Sequence, residues 1–201
     1  MLTLAFDTAT GTATCAVVSG AQVLGERRTT AAALLADVES ILAEAGAEPV
    51  MIDRIAVGRG PGRYTSLRMG LVTARTLAFA LGVPVRGIST LGALAAGAPG
   101  ALPVIDARRR EVFVLAAEGP ACRRPEELEL EPGRLCVGDG AVRYRALLES
   151  EGAEVPPDDD PRHVPWARHL ALLAARGCHE DGAEPIYLRA PDADRALAHR
   201  P

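Results

Sequence analysis

The stretch Val57-Gly58-Arg59-Gly60-Pro61-Gly62-Arg63-Tyr64-Thr65-Ser66-Leu67-Arg68 decides how this chain is read. The apolar run at residues 52–57 reads as a buried strand. It enters three glycines and a proline, and a helix opens at Thr65 or Ser66 and runs to about residue 81, where Gly82 stops it. Such a turn exposes backbone N–H groups at the positive end of a helix dipole, a place suited to an anion. It is not a Walker A loop, because the Gly-Lys-Ser/Thr ending is missing.

Upstream, residues 2–6 read as a short apolar strand ending at Asp7. Residues 12–18 and 22–28 read as two more strands joined at Ser19-Gly20. Thr30 is the expected cap of a helix running to about Ala45. Leu34, Leu35, Val38, Ile41, Leu42 and Ala45 keep helical spacing, and Gly46 ends it. Downstream, residues 83–87 give a strand, and Ser89 or Thr90 caps a third helix. The pattern then partly restarts. Residues 102–105 form a strand ending in Asp106, residues 111–117 its hairpin partner, and residues 135–137 a strand entering Gly138-Asp139-Gly140. Helices are expected at 141–151 and 166–176, the latter with Pro165 at its first position. A surface loop is expected at 156–161 and a late strand at 185–190. Two strands ending in Asp, each opening a hairpin, suggest a duplicated unit. The fold class is α/β, built from two βββαβα units with the second less regular. The expected division is residues 1–100 and a smaller, degenerate unit at 101–201, with the boundary where Gly and Pro cluster near 98–102.

The 201 residues are 48% hydrophobic but only 3% aromatic, so Ala, Leu and Val must build the core. All 22 basic residues are Arg, which excludes a Schiff-base lysine, a lysine general base and a P-loop lysine. A net charge of -4 does not suggest a free-standing nucleic-acid binder. The clusters Arg108-Arg109-Arg110 and Arg123-Arg124 leave contact with RNA inside a complex open. Cys15, Cys122, Cys136 and Cys178 lie far apart without a Cys-x-x-Cys, which points to buried thiols in a reducing cytoplasm. The N-terminus lacks the basic and long apolar regions of a signal peptide. No run of about 18 apolar residues suggests a membrane span.

The duplicated unit with Asp-x-Thr after its first strand resembles the actin, sugar-kinase and Hsp70 ATPase superfamily. The closer resemblance is to the TsaB (YeaZ) family, bacterial partners in tRNA threonylcarbamoyladenosine synthesis. Four segments carry it, in the family's order. They are Phe6-Asp7-Thr8-Ala9-Thr10, the loop and helix start from Ala56 to Gly70, Ile105 to Phe113, and Pro185 to Ala193. Gly87-Ile88-Ser89-Thr90-Leu91 adds to them. The chain departs from the family at Arg63, where Ser is usual, at Ser66, where Gly is usual, and at Thr29-Thr30, which replaces a common His-Ser pair.

The resemblance implies roles for particular residues. Asp7 stands where superfamily ATPases place a metal-coordinating carboxylate, and Asp106 is the matching acid of the second half. Asp7, Thr8, Gly60, Gly62, Thr65, Arg68 and Asp106 are therefore candidates for nucleotide or anion contact. Each has a plainer reading. Asp7 can cap the following turn through its side chain, and Asp106 can form a salt bridge across the domain interface, with Arg108 as the named partner. Asp139 reads as an N-cap, although its turn could be the remnant of an adenosine site. Three arginines after Asp106 speak against a tight phosphate cradle; they could instead face tRNA phosphate or an acidic partner surface. Gly70, Ala74, Ala78 and Gly82 recur every four residues, bordered by Leu67, Leu71 and Leu81. Such a stripe admits a close helix. In TsaB-like proteins the first two helices contact TsaD or a second copy, so Leu67, Gly70, Leu71, Ala74 and Ala78 are the expected interface. His163, His169, His179 and His199 form no metal motif, and Cys178-His179-Glu180-Asp181 reads as a solvated helix end.

The reading that results is a cytoplasmic, non-catalytic subunit. It binds a TsaD-like catalytic subunit and a TsaE-like ATPase, with a homodimer through the same helical face as a further option. It meets tRNA only within the complex and needs no membrane. No intrinsic cofactor or metal is expected; ATP or ADP with Mg at the complex interface stays open. The alternative is a small ATPase or sugar/acid kinase using Asp7 and Asp106, and a peptidase ranks last.

Overall fold

The computed structural model describes residues 1–189. The expected family segment Pro191-Asp192-Ala193 and His199 lie outside the described residues. Strands β1 (Leu2–Asp7), β2 (Ala13–Ser19) and β3 (Gln22–Thr29) form an antiparallel meander. Helix α1 (Leu34–Glu44) leads to β4 (Arg54–Gly58), which lies parallel to β1. Helix α2 (Tyr64–Leu81) leads to β5 (Val85–Ile88), parallel to β4. Parallel neighbours need such crossovers, whereas the meander needs only tight turns.

Strand alternation sorts the two faces of this sheet. Leu4, Phe6, Ile55 and Val57 join the buried residues of α1 and α2 in one core. Ala5, Ala16 and Ala56 face the other way and pack against a second core with Leu170 and Ala174. Alanines on that face let a helix settle close to the strands.

Helix α3 (Thr90–Gly97), capped by the Ser89 hydroxyl, opens the second lobe. Its strands are β6 (Leu102–Arg108), β7 (Glu111–Ala116), β8 (Gly119–Arg123) and β9 (Cys136–Val137). The sheet order β8-β7-β6-β9 repeats β3-β2-β1-β4 of the first lobe, with the last strand of each parallel to the first. The duplication read from the sequence is thus present in the strand order. Short helices α4 (Asp139–Arg143) and α5 (Arg145–Ser150) follow. Helix α6 (Ala167–Ala175) returns to the first sheet, and β10 (Glu180–Asp181) pairs antiparallel with β5 to complete the order β10-β5-β4-β1-β2-β3.

Several local expectations need correction. Helix α1 begins at Leu34, because Thr30 closes the preceding turn by accepting the Ala33 N–H at 3.2 Å. The helix expected at 141–151 is broken at Tyr144, whose backbone leaves helical geometry (φ -107°, ψ 22°). Pro165 precedes the N-cap Trp166 rather than opening α6. Residues 185–189 form no strand. They are fastened by the Ile186 N–H to the Arg59 carbonyl, while the pairing with β5 is made by Glu180 and Asp181. These two belong to the segment read as a solvated helix end. Strand β8 has no sequence signal, since Gly119 and Pro120 open it; an edge position tolerates that proline. Cys15 and Cys136 are buried thiols, Cys122 is half-buried and Cys178 is exposed.

Candidate functional site

Asp7 ends β1 fully buried. One carboxylate oxygen accepts the Ala9 N–H at 2.7 Å, an Asx turn, and the other accepts the Thr90 hydroxyl at 2.7 Å. Thr90 is fixed in turn, since its hydroxyl accepts the Gly60 N–H at 3.2 Å and its N–H donates to the Gly60 carbonyl at 2.8 Å. The surrounding glycines seal the site. A Cβ built at Gly58 would overlap the Asp7 carboxylate, and one at Gly62 would overlap the Ala9 carbonyl. The Arg63 N–H donates to that carbonyl at 2.7 Å. Burial pushes the Asp7 carboxyl up to about 6, against the two hydrogen bonds that favour its charged form.

The second lobe repeats the arrangement in a looser form. Asp106 accepts the N–H of Arg108 at 2.9 Å, again two residues on. Its carboxylate faces Arg108 at 3.4 Å and Arg143 at 3.7 Å. Both arginines belong to the second lobe, so the expected salt bridge across the interface is corrected to a pair of local ones. A further link between the lobes is made by Asp139. It does not cap its own helix, because Gly138 (φ 114°) is the N-cap and Asp139 the first helical residue. Its carboxylate accepts the Asp106 N–H at 3.0 Å and the Gly11 N–H at 3.3 Å. Burial raises its carboxyl above the usual range.

Between the lobes lies a cleft of about 680 Å³. The start of α2 lines one side and the β6–β7 hairpin the other, with residues 186–189 along a third. Tyr64 and Tyr187 stack at its rim with centroids 5.5 Å apart. The Arg68 guanidinium sits 3.9 Å over the Tyr64 ring, and its Nε donates to the Tyr187 hydroxyl at 2.8 Å.

The structure divides the candidate contacts. Gly62, Thr65 and Asp106 line the cleft. Asp7, Thr8 and Gly60 are buried and engaged within the protein; the Thr8 hydroxyl donates to the Ser66 carbonyl at 2.7 Å. Arg68 is committed to the tyrosine pair.

The expected interface stripe is also corrected. Leu67, Gly70, Leu71, Ala74 and Ala78 face inward and are buried in the chain's own core. They are small because α2 lies close on the Asp7 loop; a Cβ at Gly70 would overlap the Thr8 hydroxyl. The opposite side of α2 instead presents Met69, Val72 and Phe79, which are 44%, 60% and 92% exposed. Sequence reasoning missed these three, along with the roles of Thr90 and Tyr187. Only the first group left a signal: Met69, Val72, Thr76 and Phe79 recur at helical spacing opposite the leucines.

Two lobes of matching strand order, each with an aspartate late in its first strand beside a Gly-x-Gly turn, define an actin-like ATPase fold. The activator of 2-hydroxyisocaproyl-CoA dehydratase from Clostridium difficile, solved with bound ADPNP, shares this fold. Its TM-score is 0.54 at 12% identity, over 88% of this chain and 95% of that one. YeaZ from Pseudomonas aeruginosa superimposes with a TM-score of 0.72 at 27% identity, covering 93% of this chain and 99% of that one. The family model for TsaD, tRNA N6-adenosine threonylcarbamoyltransferase, matches residues 27–128. The tRNA threonylcarbamoyladenosine biosynthesis protein TsaB of Escherichia coli K12 is 37% identical over 184 residues, 78% of this chain and 79% of that protein. The chain belongs to the TsaB family.

Proposed function

We propose that this chain is a non-catalytic subunit of the machinery that makes threonylcarbamoyladenosine beside the anticodon of tRNA. In this reading it works in the cytoplasm, binds a TsaD-like catalytic subunit together with a TsaE-like ATPase, and meets tRNA within that complex. The observation that carries the docking role is the outer face of α2. Met69, Val72 and Phe79 form an exposed apolar line on an 18-residue helix. Covering a side chain of this size contributes about 1.5–3 kcal/mol, so a few suffice as anchors. A second copy of the chain would compete for the same face.

The residues at Asp7 do not fit a magnesium-bound nucleotide. Both oxygens already accept hydrogen bonds within the protein, and the side chain is fully buried. The kinase or ATPase reading therefore draws no support from Asp7. Nucleotide, in the proposed role, is held by the assembled interface.

Reconstitution with the TsaD-like and TsaE-like proteins of the same cell tests this. Omitting the chain is expected to abolish modified nucleoside, measured by mass spectrometry of digested tRNA, while Asp7→Asn retains it. ATP turnover by the chain alone that disappears in Asp7→Asn would overturn the reading.

A further inference from the structure

We propose that the interlobe cleft binds a strand of RNA, with phosphates on the Arg108–Arg110 turn and a base against the Tyr64–Tyr187 pair. This rests on the proposed function, which brings tRNA to the complex. Three observations point to it.

The first is the turn itself. Arg108, Arg109 and Arg110 have φ values of 62°, 53° and 61°. Left-handed backbone is unfavourable for a side-chain-bearing residue, and glycine would make the same turn without that cost. Arginine at all three positions thus opposes stability, in the pattern of strain held at binding sites.

The second is charge. The chain carries a net charge of -4, yet arginines gather here. Arg108 lines the cleft and pairs with Asp106, and Arg143 pairs with the same carboxylate. Arg63, the residue before α2, also lines it, its guanidinium beside Gly11. Glu111, the next residue after the turn, is taken by Arg189. Among the described residues, Asp106 is set against Arg108 and Arg143, and Asp139 against Arg63 and Arg143. Guanidinium forks match phosphate oxygens in pairs.

The third is the ring pair. Tyr64 and Tyr187 are partly exposed, at 39% and 43%, and already stacked and held by Arg68. Preformed aromatic faces beside arginines suit an unstacked base of single-stranded RNA. An acidic protein segment would use the arginines and leave the rings idle, which favours RNA.

The test is fluorescence anisotropy with a labelled anticodon stem-loop RNA. It is titrated with the complex of this chain and its TsaD-like partner, and in parallel with the chain alone at low salt, over a series from about 50 to 200 mM. Arg110→Gly is expected to weaken binding and lower the salt slope by about 1, with complex yield unchanged and Tm equal or higher. Tyr187→Ala is expected to weaken binding about tenfold with the slope unchanged. A merely structural turn would give the higher Tm without the lost slope. Unchanged affinity and slope in both variants, with the complex forming normally, would overturn this inference and leave the proposed function standing. Arg110→Gly that loses the partner but not RNA would assign the turn to an acidic protein surface. Displacement of the RNA by ATP at matched occupancy would make the cleft a mononucleotide site. Either result contradicts the proposal. If wild-type chain fails to bind its TsaD-like partner, the proposed function fails, and the titration of the chain alone still decides the cleft.

Discussion

The first strand of each lobe carries an aspartate in its last residues, at the end of β1 and two residues before the end of β6, that closes an Asx turn onto the residue two positions on, Asp7 to Ala9 and Asp106 to Arg108. Beside each lies a Gly-x-Gly turn pressed onto it, Gly60-Pro61-Gly62 in one lobe and Gly138-Asp139-Gly140 in the other. From there they diverge. The second oxygen of Asp7 is taken by the buried hydroxyl of Thr90, whereas Asp106 faces half-exposed arginines at a cleft. The same local geometry has become a structural joint in one lobe and the wall of an open site in the other. What separates them is the neighbour supplied from elsewhere in the chain, not the aspartate.

The sharpest way to break this comparison is to crowd the closed loop. Gly62→Ala places a methyl on the Ala9 carbonyl, a backbone atom that cannot step aside. A loss of about 4 kcal/mol or more is expected in urea unfolding. A loss below about 1 kcal/mol would mean that the loop is looser than described.

The next effect is the pH response of Asp7. Its folded carboxyl is raised from 3.8 to about 6, so the native state holds an extra proton between those values. Stability is therefore expected to fall by about 3 kcal/mol as pH rises through this window, and to level off above it. Asp7→Asn should flatten that part of the profile. An unaltered slope from pH 4 to about 6 would show that another group carries it.

The smallest effect tests the open side. Arg110→Gly removes a left-handed arginine and is expected to stabilise the fold by about 1 kcal/mol. A loss of stability instead would show that the arginine holds the hairpin together. The opposed signs of Gly62→Ala and Arg110→Gly would separate a packed joint from a strained site.

Much of the first lobe was legible in the sequence because it is punctuated. Gly46 and Gly82 stop α1 and α2 in left-handed backbone, and β1 and β4 read as compact apolar runs. The two faces of α2 were not separable, since both carry apolar side chains at helical spacing. The small residues suggested an approaching partner helix, but the close neighbour is Thr8 of the same chain. The joint at Asp7 was legible only in part. Its Asx turn is local, but Thr90 lies 83 residues away. Tyr187 reaches Arg68 across 119 residues because β10 draws the chain back to the first sheet. No short-range pattern records such returns.

The central claim is that the outward side of α2 holds the partner. Phe79→Arg tests it most directly, because Phe79 is 92% exposed and the substitution should leave Tm unchanged. The account predicts that the variant no longer co-purifies with the TsaD-like protein and no longer supports threonylcarbamoyladenosine formation. A variant that folds, co-purifies at wild-type yield and supports full modification would contradict it.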